Sequence, residues 1–300
     1  MSENGFHRGG SFLAGTKGVL YLCATPIGNL EDITLRALRV LREVDLIAAE
    51  DTRRTRKLLS HYGIHTPLTS YHQHNRRKKG EYLLDMLESG KNVALVTDAG
   101  LPGISDPGSE LVKAALEKGI RTVPLPGPSA GITALVVSGL PSDLFVFAGF
   151  LPSSKKSRVK ELQELRRQRG TLIFYEAPHR LKETLADVLE VLGDRPAAAA
   201  RELTKVHEEV LRGPLSKLLE YFNEVEPQGE FTLVVAGAEA GDEAEGVAGA
   251  ARPGPDPAAR VAMLEAEGMG RREAIKEVAR LLGLSRREVY RLVVEAGEKK

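Results

Sequence analysis

The sequence is poor in the residues that mark several common classes of protein. Its one cysteine, Cys23 in the apolar run VLYLCAT, excludes a disulfide framework and a cysteine-based metal site, and is predicted to be a small core residue. Only 5% of the residues are aromatic, so few side chains are available to stack on bases. No apolar run approaches the roughly twenty residues of a membrane span, and the first residues lack the order of a signal peptide. We therefore expect a soluble, cytoplasmic protein with no membrane partner.

Neither sign of charge dominates, and two phosphate-binding motifs are missing. The 42 Lys+Arg and 41 Asp+Glu leave a net charge of +1, so any argument for nucleic acid has to be local. There is no G-x-x-x-x-G-K-[ST], and the first predicted strand is followed by TPIGNLED instead of G-x-G-x-x-G. His61 and His65 have helical i, i+4 spacing without a third ligand beside them, so no metal site is predicted. Ordinary P-loop, Rossmann and metal sites are therefore not expected.

The order of segments predicts two α/β domains and a small C-terminal module. Strand-like and helix-like segments alternate over residues 18–140, which is typical of a parallel sheet covered by helices. Closely spaced strands over 141–238 indicate a second domain with a mixed sheet. Residues 239–259 are mostly small, acidic, Gly or Pro, and they predict a flexible linker. Residues 1–17 are expected to form a loose N-terminal tail. Two amphipathic stretches in 260–300 predict a helix-turn-helix, with a plain helical hairpin packed on the body as the alternative.

Loops that follow the predicted strands carry the residues of most interest. Four belong to the first sheet, TPIGNLED, AEDTRRT, DAGLPGISDPG and PLPGPSAG, and a fifth, YEAPHR, closes a strand of the second domain. Ligands of α/β proteins bind at the carboxyl ends of parallel strands. The third loop exceeds the usual length of roughly two to six residues, although glycine turns and a helix cap by Asp106 would also explain it. Together the loops predict an interdomain ligand cavity built largely from backbone groups and small side chains.

These segments resemble the tetrapyrrole methylase superfamily, and in particular its branch that methylates small-subunit ribosomal RNA. The resemblance is carried by ATPIGNLEDITLRAL, AEDTRRTRKLL, DAGLPGISDPG, PLPGPSA, FYEAPHRL and GEFTLVVAG, and spans residues 18–238. It implies two α/β domains with S-adenosylmethionine in the cleft between them, and usually a homodimer. For this branch it also implies methylation of the ribose 2′-oxygen of a cytidine in the decoding region of 16S ribosomal RNA. The terminal helix pair resembles the small module that ends this branch.

The resemblance implies a set of cofactor contacts, matched position by position. They come from the first loop, the long third loop, the segment PGPSA and the second domain: Ile27, Gly28, Asp98, Gly100, Pro102, Ile104, Ser105, Ser129, Ala130, Glu176, Ala177 and Pro178. S-adenosylmethionine has no phosphate, so it needs no lysine or helix N-terminus cradle. It needs many backbone donors and acceptors, and glycines permit the close backbone approach.

Methyl transfer to a hydroxyl also requires a group that accepts the proton. The sequence offers several candidates: Asp51, Asp98, Glu176, His179 and Lys205. Asp51 is the first choice because the two arginines that follow it would keep it ionised and could hold substrate phosphates. The alternative for Asp51 is that it only caps the helix that begins at Thr52.

Basic segments predict where RNA would bind. Residues 52–80 contain no Asp or Glu, a second basic segment, KKSRVKELQELRRQR, begins the second domain, and the last predicted helix adds arginines. The candidates are Arg53, Arg54, Arg56, Arg76, Arg77, Lys78, Lys79, Lys155, Lys156, Arg286, Arg287 and Arg291. A solvated helix face is the ordinary explanation of such runs, but two runs near the cleft favour contact with phosphates, read mainly through backbone shape.

Two other functions fit parts of the sequence. A small-molecule, tetrapyrrole-type methyltransferase would share the fold, but the basic region at 52–80 and the C-terminal helix pair argue against it. A non-enzymatic helix-turn-helix regulator with a ligand-sensing α/β body would explain the C-terminal part, yet it leaves the five loops without chemistry. The expected function is therefore RNA methylation.

Overall fold

The computed structural model describes most of the α/β part of the chain and a portion of its C-terminal part. The described residues are 17–106, 108–238, 261, 264–265, 269–282, 286, 289–291 and 293. The chain divides into two compact units, residues 1–243 and 244–300. The expected tail, except Lys17, and the expected linker at 239–259 lie outside the described residues.

The first sheet is parallel throughout, as the alternation of segments predicts. Its strand order is β3-β2-β4-β1-β5. The strands are β1 (Val19–Cys23), β2 (Leu46–Ala49), β3 (Leu68–Ser70), β4 (Val93–Val96) and β5 (Arg121–Leu125). The helices between them are α1 (Leu35–Glu43), α2 (Thr52–His61), α3 (Arg76–Glu88) and α4 (Gly108–Glu117). Parallel connectivity places the loops after β1, β2, β4 and β5 at one edge of the sheet.

The middle of this sheet is buried on both faces because helices cover both. Every residue of β2 and of β4 is buried, which agrees with their continuous apolar sequences LIAA and VALV. Cys23 is fully buried in β1, and this burial raises the pKa of its thiol to about 12. The thiol therefore stays protonated and apolar, as expected for a core residue.

The second sheet is mixed, with the order β6-β7-β10-β8-β9. Its strands are β6 (Phe145–Phe150), β7 (Thr171–Glu176), β8 (Pro196–Arg201), β9 (Glu209–Pro214) and β10 (Phe231–Val235). Only β6 and β7 run parallel, and the pairs β7–β10, β10–β8 and β8–β9 are antiparallel. One core cluster lies beneath the helices α6 (Lys155–Leu165), α7 (Leu181–Leu192) and α8 (Leu215–Glu224). The expected mixed sheet is thus present.

Helix α5 (Ala130–Ser138) follows the first sheet in sequence but packs on the second. Its Ala134 and Leu135 share a core cluster with Ile173 of β7 and Val234 of β10. The helix is apolar on all sides, AGITALVVS, so it needs a broad apolar surface, and the second sheet provides one. In packing terms the α/β part therefore divides before α5, earlier than the expected boundary at residue 140. We call the described residues up to 129 the first half and those from 130 to 238 the second half.

The C-terminal unit has its own small apolar core. A helix spans Arg271–Leu282, which agrees with the first predicted helix, and residues 286, 289–291 and 293 are also helical. Its core cluster consists of Val261, Ala274, Ile275, Val278, Ala279 and Val289. The expected turn between the two predicted helices, at Gly283 to Ser285 in the sequence GLS, and Arg287 lie outside the described residues. Among the helices that are described, none has the length and apolarity to cross a membrane.

Candidate active site

A cavity of about 440 Å³ lies where the carboxyl edge of the first sheet meets one end of the second. The first half lines it with Ile27, Glu50, Arg54, residues 97–101 and 104–106, and it is continued by Ser129 and Ala130. The second half lines it with Phe150, residues 175–178, Ala200, Glu202, Leu203, Lys205 and residues 230–232. This size is within the range of small-molecule sites. Both halves thus build one site, as the loop pattern predicts.

The structure brings most of the expected cofactor residues to this cavity. Those that line it are Ile27, Asp98, Gly100, Ile104, Ser105, Ser129, Ala130, Glu176, Ala177 and Pro178. Pro102 is buried and lines a separate groove beside α4. Gly28 is exposed and faces the turn between β8 and β9, where an added Cβ would lie 2.4 Å from the Lys205 Cγ. Gly28 therefore fits a role in joining the halves better than a role in the cavity wall.

Two carboxylates from neighbouring strands stand together in the wall. Glu50 follows β2 and accepts a hydrogen bond of 2.6 Å from the Thr97 hydroxyl, while Asp98 follows β4 and accepts one of 2.9 Å from the Asp51 backbone N–H. Burial raises the pKa of Asp98, and the nearby charge of Glu50 adds to that effect. The positive charge of Arg54, whose Nε lies 3.6 Å from the Asp98 Oδ2, acts in the opposite direction and lowers the pKa of Asp98. Asp98 is therefore a carboxylate with increased proton affinity at the edge of the cavity.

Asp51 has the geometry of a helix cap. Its Oδ1 accepts a hydrogen bond of 2.8 Å from the Arg53 backbone N–H, and its Oδ2 lies 2.7 Å from the Arg53 guanidinium. The side-chain hydrogen bond to Arg53 lowers the pKa of Asp51 to about 2. Asp51 also lies outside the cavity lining. A carboxylate with so low a pKa is a weak proton acceptor, so the geometry favours the cap interpretation over the first choice made from the sequence.

Glu176 is in the wall, but its oxygens are already occupied. Its side chain is fully buried, and it accepts hydrogen bonds from the Thr184 hydroxyl at 2.6 Å and from the Ala177 backbone N–H at 2.8 Å. The Arg180 Nε lies 3.5 Å from the Glu176 Oε1, and the same guanidinium donates a hydrogen bond of 2.7 Å to the Leu151 carbonyl, directly after β6. Glu176 therefore holds the β7 loop in place. His179, the fourth candidate, is exposed and outside the lining.

Lys205 reaches the cavity from the β8–β9 turn and is held by two carboxylates. Its Nζ lies 2.8 Å from Glu202 and 3.0 Å from Glu230. Burial opposes its charge, but the hydrogen bonds to these carboxylates dominate and raise the pKa of Lys205. A lysine with a raised pKa stays protonated near neutral pH, so it cannot accept a proton there.

Backbone strain is concentrated on both sides of the cavity. Ser105 from the first half has φ 62°, and Glu202 and Thr204 from the second have φ 50° and 66°. Left-handed backbone at residues other than glycine costs energy and is common at functional sites. Thr204 also accepts a hydrogen bond of 3.0 Å from the Asn29 N–H, which joins the β8–β9 turn to the first loop. The strained segments are thus the ones that shape the site.

The charges of the lining favour a cation over an anion. The acidic residues are Glu50, Asp98, Asp106, Glu176, Glu202 and Glu230, whereas the basic ones are Arg54 and Lys205. Both basic residues already face carboxylates. Asp106 accepts hydrogen bonds from the Gly103 and Gly108 N–H groups, the latter at the first residue of α4, so its expected role as a cap is also present. The cavity therefore does not resemble a phosphate site.

The helices α2 and α3 of the first half carry many exposed basic side chains. Arg54 lies both in the lining and in the first turn of α2, with 64% of its side chain exposed, so α2 begins at the rim. The exposed basic residues of α2 and α3 are Arg53, Arg54, Arg56, Lys57, Arg77 and Lys78. Arg76 pairs with Glu110, and Lys79 donates 3.0 Å to the Thr69 hydroxyl. Of the expected RNA candidates in this region, Arg54 lines the cavity, and Arg53, Arg56, Arg77 and Lys78 are exposed on the same two helices.

The basic run of α6 is less uniform than its sequence indicates. Lys156 is exposed and Lys155 pairs with Asp187 at 3.3 Å, but Arg158 is 2% exposed and bonds the same Asp187 at 2.7 Å. Arg158 therefore fastens α6 to α7. In the C-terminal unit the side chains of Arg286 and Arg291 are exposed.

Several lining residues were not predicted from the sequence. Glu50 and Tyr175 directly precede the predicted residues Asp51 and Glu176, in AEDTRRT and YEAPHR. Their position in these segments could have identified them as lining residues. Phe231 opposes Glu176 of β7 and Arg201 of β8 because β10 is antiparallel to both strands. The start of β10 therefore meets the ends of its neighbours, a result that depends on strand pairing. Within the described residues, no group of three His, Cys, Asp or Glu is arranged to hold a metal.

The family model and the relatives that match this chain all describe methyltransferases. The family model of the Tetrapyrrole (Corrin/Porphyrin) Methylases matches residues 19–219. A protein of Halalkalibacterium halodurans named Ribosomal RNA small subunit methyltransferase I is 50% identical over 276 residues, which cover 92% of this chain and 94% of that protein. A Bacillus subtilis protein of the same name is 56% identical over 220 residues, 73% of this chain and 75% of that protein.

Solved structures share the fold at lower identity. The uroporphyrin-III-C-methyltransferase of Thermus thermophilus superposes with a TM-score of 0.53 at 24% identity, covering 73% of this chain and 94% of that one. A diphthine synthase gives a TM-score of 0.57 at 16% identity, covering 73% and 90%. These similarities concern the fold of the α/β part.

Proposed function

The chain belongs to the Tetrapyrrole (Corrin/Porphyrin) Methylase family, and we propose that it methylates small-subunit ribosomal RNA with S-adenosylmethionine as the methyl donor. The proposed acceptor is the ribose 2′-oxygen of a cytidine in the decoding region. The observation that carries the proposal is an acidic cavity whose rim is the first turn of a basic helix, α2. The cavity suits a cationic cofactor, and the helix suits the phosphates of RNA.

S-adenosylmethionine, the cofactor of this family, fits the residues of the cavity. Its sulfonium and amino groups are cationic, and carboxylates outnumber basic residues in the lining. Gly100 lines the cavity with φ +84°, and a Cβ there would lie 3.6 Å from the Pro128 carbonyl and 3.8 Å from Ile27, so the loop backbone itself forms this part of the wall. Ser105, Ser129 and Thr97 add hydroxyl groups beside apolar side chains. When bound, the cofactor would supply a methyl group that an oxygen takes by in-line displacement.

Asp98 is the proton acceptor in this proposal. It lies in the cavity wall, and its raised pKa brings it closer to the range of an effective base than Asp51. The Asp51 N–H holds Oδ1, while Oδ2 faces the exposed Arg54. A substrate phosphate that binds Arg54 would leave Oδ2 open to the ribose hydroxyl. The hydroxyl proton would pass to Asp98 as the oxygen–carbon bond forms.

The RNA is proposed to bind along α2 and α3, with contributions from α6 and the C-terminal arginines. The exposed basic residues of α2 and α3 would contact phosphates on either side of the target nucleotide. Exposed Lys156 would extend this contact to the second half. Because these contacts are electrostatic, affinity should fall steeply with salt.

A homodimer is also proposed. On α5, Val136 is 72% exposed and Ile132, one turn earlier, is 46% exposed, so one face of an apolar helix lies open. A second copy of the chain is the occupant that the family resemblance implies. Light scattering of the purified protein and of Val136→Glu tests this proposal, since a monomer in both would overturn it.

The decisive experiment is methylation of a defined substrate. The protein is incubated with labelled cofactor and small ribosomal subunits from cells that lack the protein, and the modified nucleotide is then mapped. Label on a cytidine 2′-oxygen in the decoding region supports the proposal. Label elsewhere in the RNA would overturn the proposed nucleotide, and label only on an added tetrapyrrole would favour small-molecule methylation.

A further inference from the structure

Phe150 is an unusual side chain at the end of β6. It lines the cavity, yet 54% of it is exposed. Ile104, on the loop after β4, also lines the cavity and is 42% exposed. Exposed apolar side chains that lie within a concave site generally mark a binding surface.

The backbone before Phe150 departs from regular strand geometry. The pairing of β6 with β7 shifts register between Phe147 and Gly149, which is a β-bulge at Ala148. Gly149 has φ +65°, and a Cβ on it would lie 3.2 Å from the Ser105 hydroxyl. Bulges redirect side chains and occur often beside functional sites. Here the bulge brings the end of β6 against the long loop of the first half and turns Phe150 to the cavity.

Tyr175 holds the Phe150 ring in position. The two rings are 5.5 Å apart at 60°, and Tyr175 also meets Phe147 at 5.0 Å and 72°. The Tyr175 hydroxyl accepts a hydrogen bond of 3.3 Å from the Gly131 N–H at the start of α5. Edge-to-face contacts of this kind fix ring orientation. Tyr175 and Phe147 therefore support the partly exposed ring of Phe150 in a sequence that has few aromatics.

We propose that Phe150, supported by Tyr175, is a stacking platform for a nucleobase of the RNA substrate next to the reacting ribose. The inference rests on the proposed function and adds to it a recognition element that reads a base, whereas the basic surface reads the backbone. A ribose in reach of Asp98 requires its nucleotide to leave the stacked helix, and an unstacked base is commonly bound on an aromatic ring. Because the Phe150 ring lines the cavity and is also partly exposed, a substrate that enters the cavity can reach it.

The test compares Phe150→Ala with a matched control on the same strand. Phe145 is 40% exposed and outside the cavity lining, so Phe145→Ala removes a similar ring without touching the site. For Phe150→Ala we expect the KM for small subunits to rise roughly five- to a hundredfold, with kcat nearly unchanged. Phe150→Tyr should restore the KM, and Phe145→Ala should behave like the wild type. An unchanged KM in Phe150→Ala would overturn the proposal.

The adenine of the cofactor is the competing base, and a second measurement separates the two. The chain has no tryptophan, so Phe150→Trp introduces a single tryptophan at the platform, and its fluorescence can be excited separately from that of the seven tyrosines. We expect quenching when small-subunit RNA is added and little change with S-adenosylhomocysteine, whose affinity by calorimetry should also be unchanged in Phe150→Ala. Quenching by S-adenosylhomocysteine, with no quenching by the RNA, would assign the platform to the cofactor and overturn the proposal. Wild-type protein that does not methylate RNA would instead refute the proposed function itself.

Discussion

The two halves of the α/β part contribute to the cavity by different means. The first half uses loops after parallel strands, which carry Glu50, Asp98 and Gly100. The second half uses strand ends, a tight turn and the start of an antiparallel strand, which carry Phe150, Tyr175 and residues 230–232. A parallel sheet collects its site at one edge by topology alone. A mixed sheet does so only through the particular pairing of its strands.

The chemistry divides in the same way. The carboxylates Glu50 and Asp98 and the basic rim belong to the first half, whereas the second half supplies aromatic rings, apolar walls and ion pairs that are already satisfied. The comparison suggests that the first half carries catalysis and substrate charge, and that the second half provides a rigid frame. Changes in the first half should then alter rates, and changes in the second should alter stability or recognition.

The largest effect is expected from Asp98→Asn. Loss of the proton acceptor should lower kcat by roughly 10²–10⁴-fold, whereas the affinity for S-adenosylhomocysteine should fall far less, because Asp98 is one of six acidic residues in the lining. Asp51→Asn is the matched control, because asparagine can also cap α2, and it should retain most of the rate. Since burial and Glu50 raise the pKa of Asp98, the wild-type rate should fall as pH drops through that raised pKa. A normal rate in Asp98→Asn, or a severe loss in Asp51→Asn, would return Asp51 to first place.

Arg158→Ala should cause the largest loss of stability in the second half. It removes a buried partner of Asp187, whose own side chain is 4% exposed, and losing one member of a buried pair costs about 3–5 kcal/mol. Lys155 retains some contact with Asp187, so the lower end of that range is expected. The free energy of unfolding measured in urea tests this, with exposed Lys156→Ala as the control. Equal stability of the two variants would show that the pair does not hold α6.

Gly100→Ala should weaken cofactor binding by about tenfold or more. Gly100 and Gly63 both have positive φ, 84° and 61°, so a Cβ at either costs about 1–2 kcal/mol of backbone energy. Only Gly100 lines the cavity, whereas Gly63 lies outside the lining and has nothing within 4 Å of an added Cβ. Calorimetry with S-adenosylhomocysteine should therefore separate variants that are equally destabilised. Equal affinities in both variants would refute the wrapping role of the loop.

The smallest effect is expected from removing residues 241–300. If exposed Arg286 and Arg291 contact RNA, the truncated protein should bind small subunits a few-fold less tightly. The slope of log affinity against log salt should also become shallower, by about 0.7 per lost phosphate contact with single-stranded RNA. Cofactor affinity should be unchanged, since the lining ends at residue 232. Identical salt slopes would indicate a packing or dimerisation role for the C-terminal unit.

Much of the first half could be predicted from the sequence. Alternating segments predicted the parallel sheet, and strand-end loops predicted where the cavity lies, because both depend on local patterns and one topological rule. The ten expected cofactor residues that line the cavity came from the family resemblance. Asp51 was harder, since AEDTRRT fits a base and a cap equally well. The distinction depends on where the neighbouring carboxyl groups point, and that follows from the pairing of β2 with β4.

The second half was less predictable for physical reasons. Phe150 reaches the cavity through a bulge, and Phe231 through antiparallel pairing, and neither leaves a periodic signal in the sequence. Arg158 belongs to a run of charges that resembles a solvated face, yet its partner Asp187 lies 29 positions away on α7. Contacts of this kind depend on tertiary packing, which composition does not encode.

The position of α5 has a consequence for how the polypeptide can be divided. A fragment that ends at residue 140 would keep an apolar helix without its partner surface, and the complementary fragment would expose the face of the second sheet that α5 covers. A break between Leu125 and Ser129 would leave each sheet with its own covering helices. Fragments cut there are the ones to test for reassembly when expressed from separate genes.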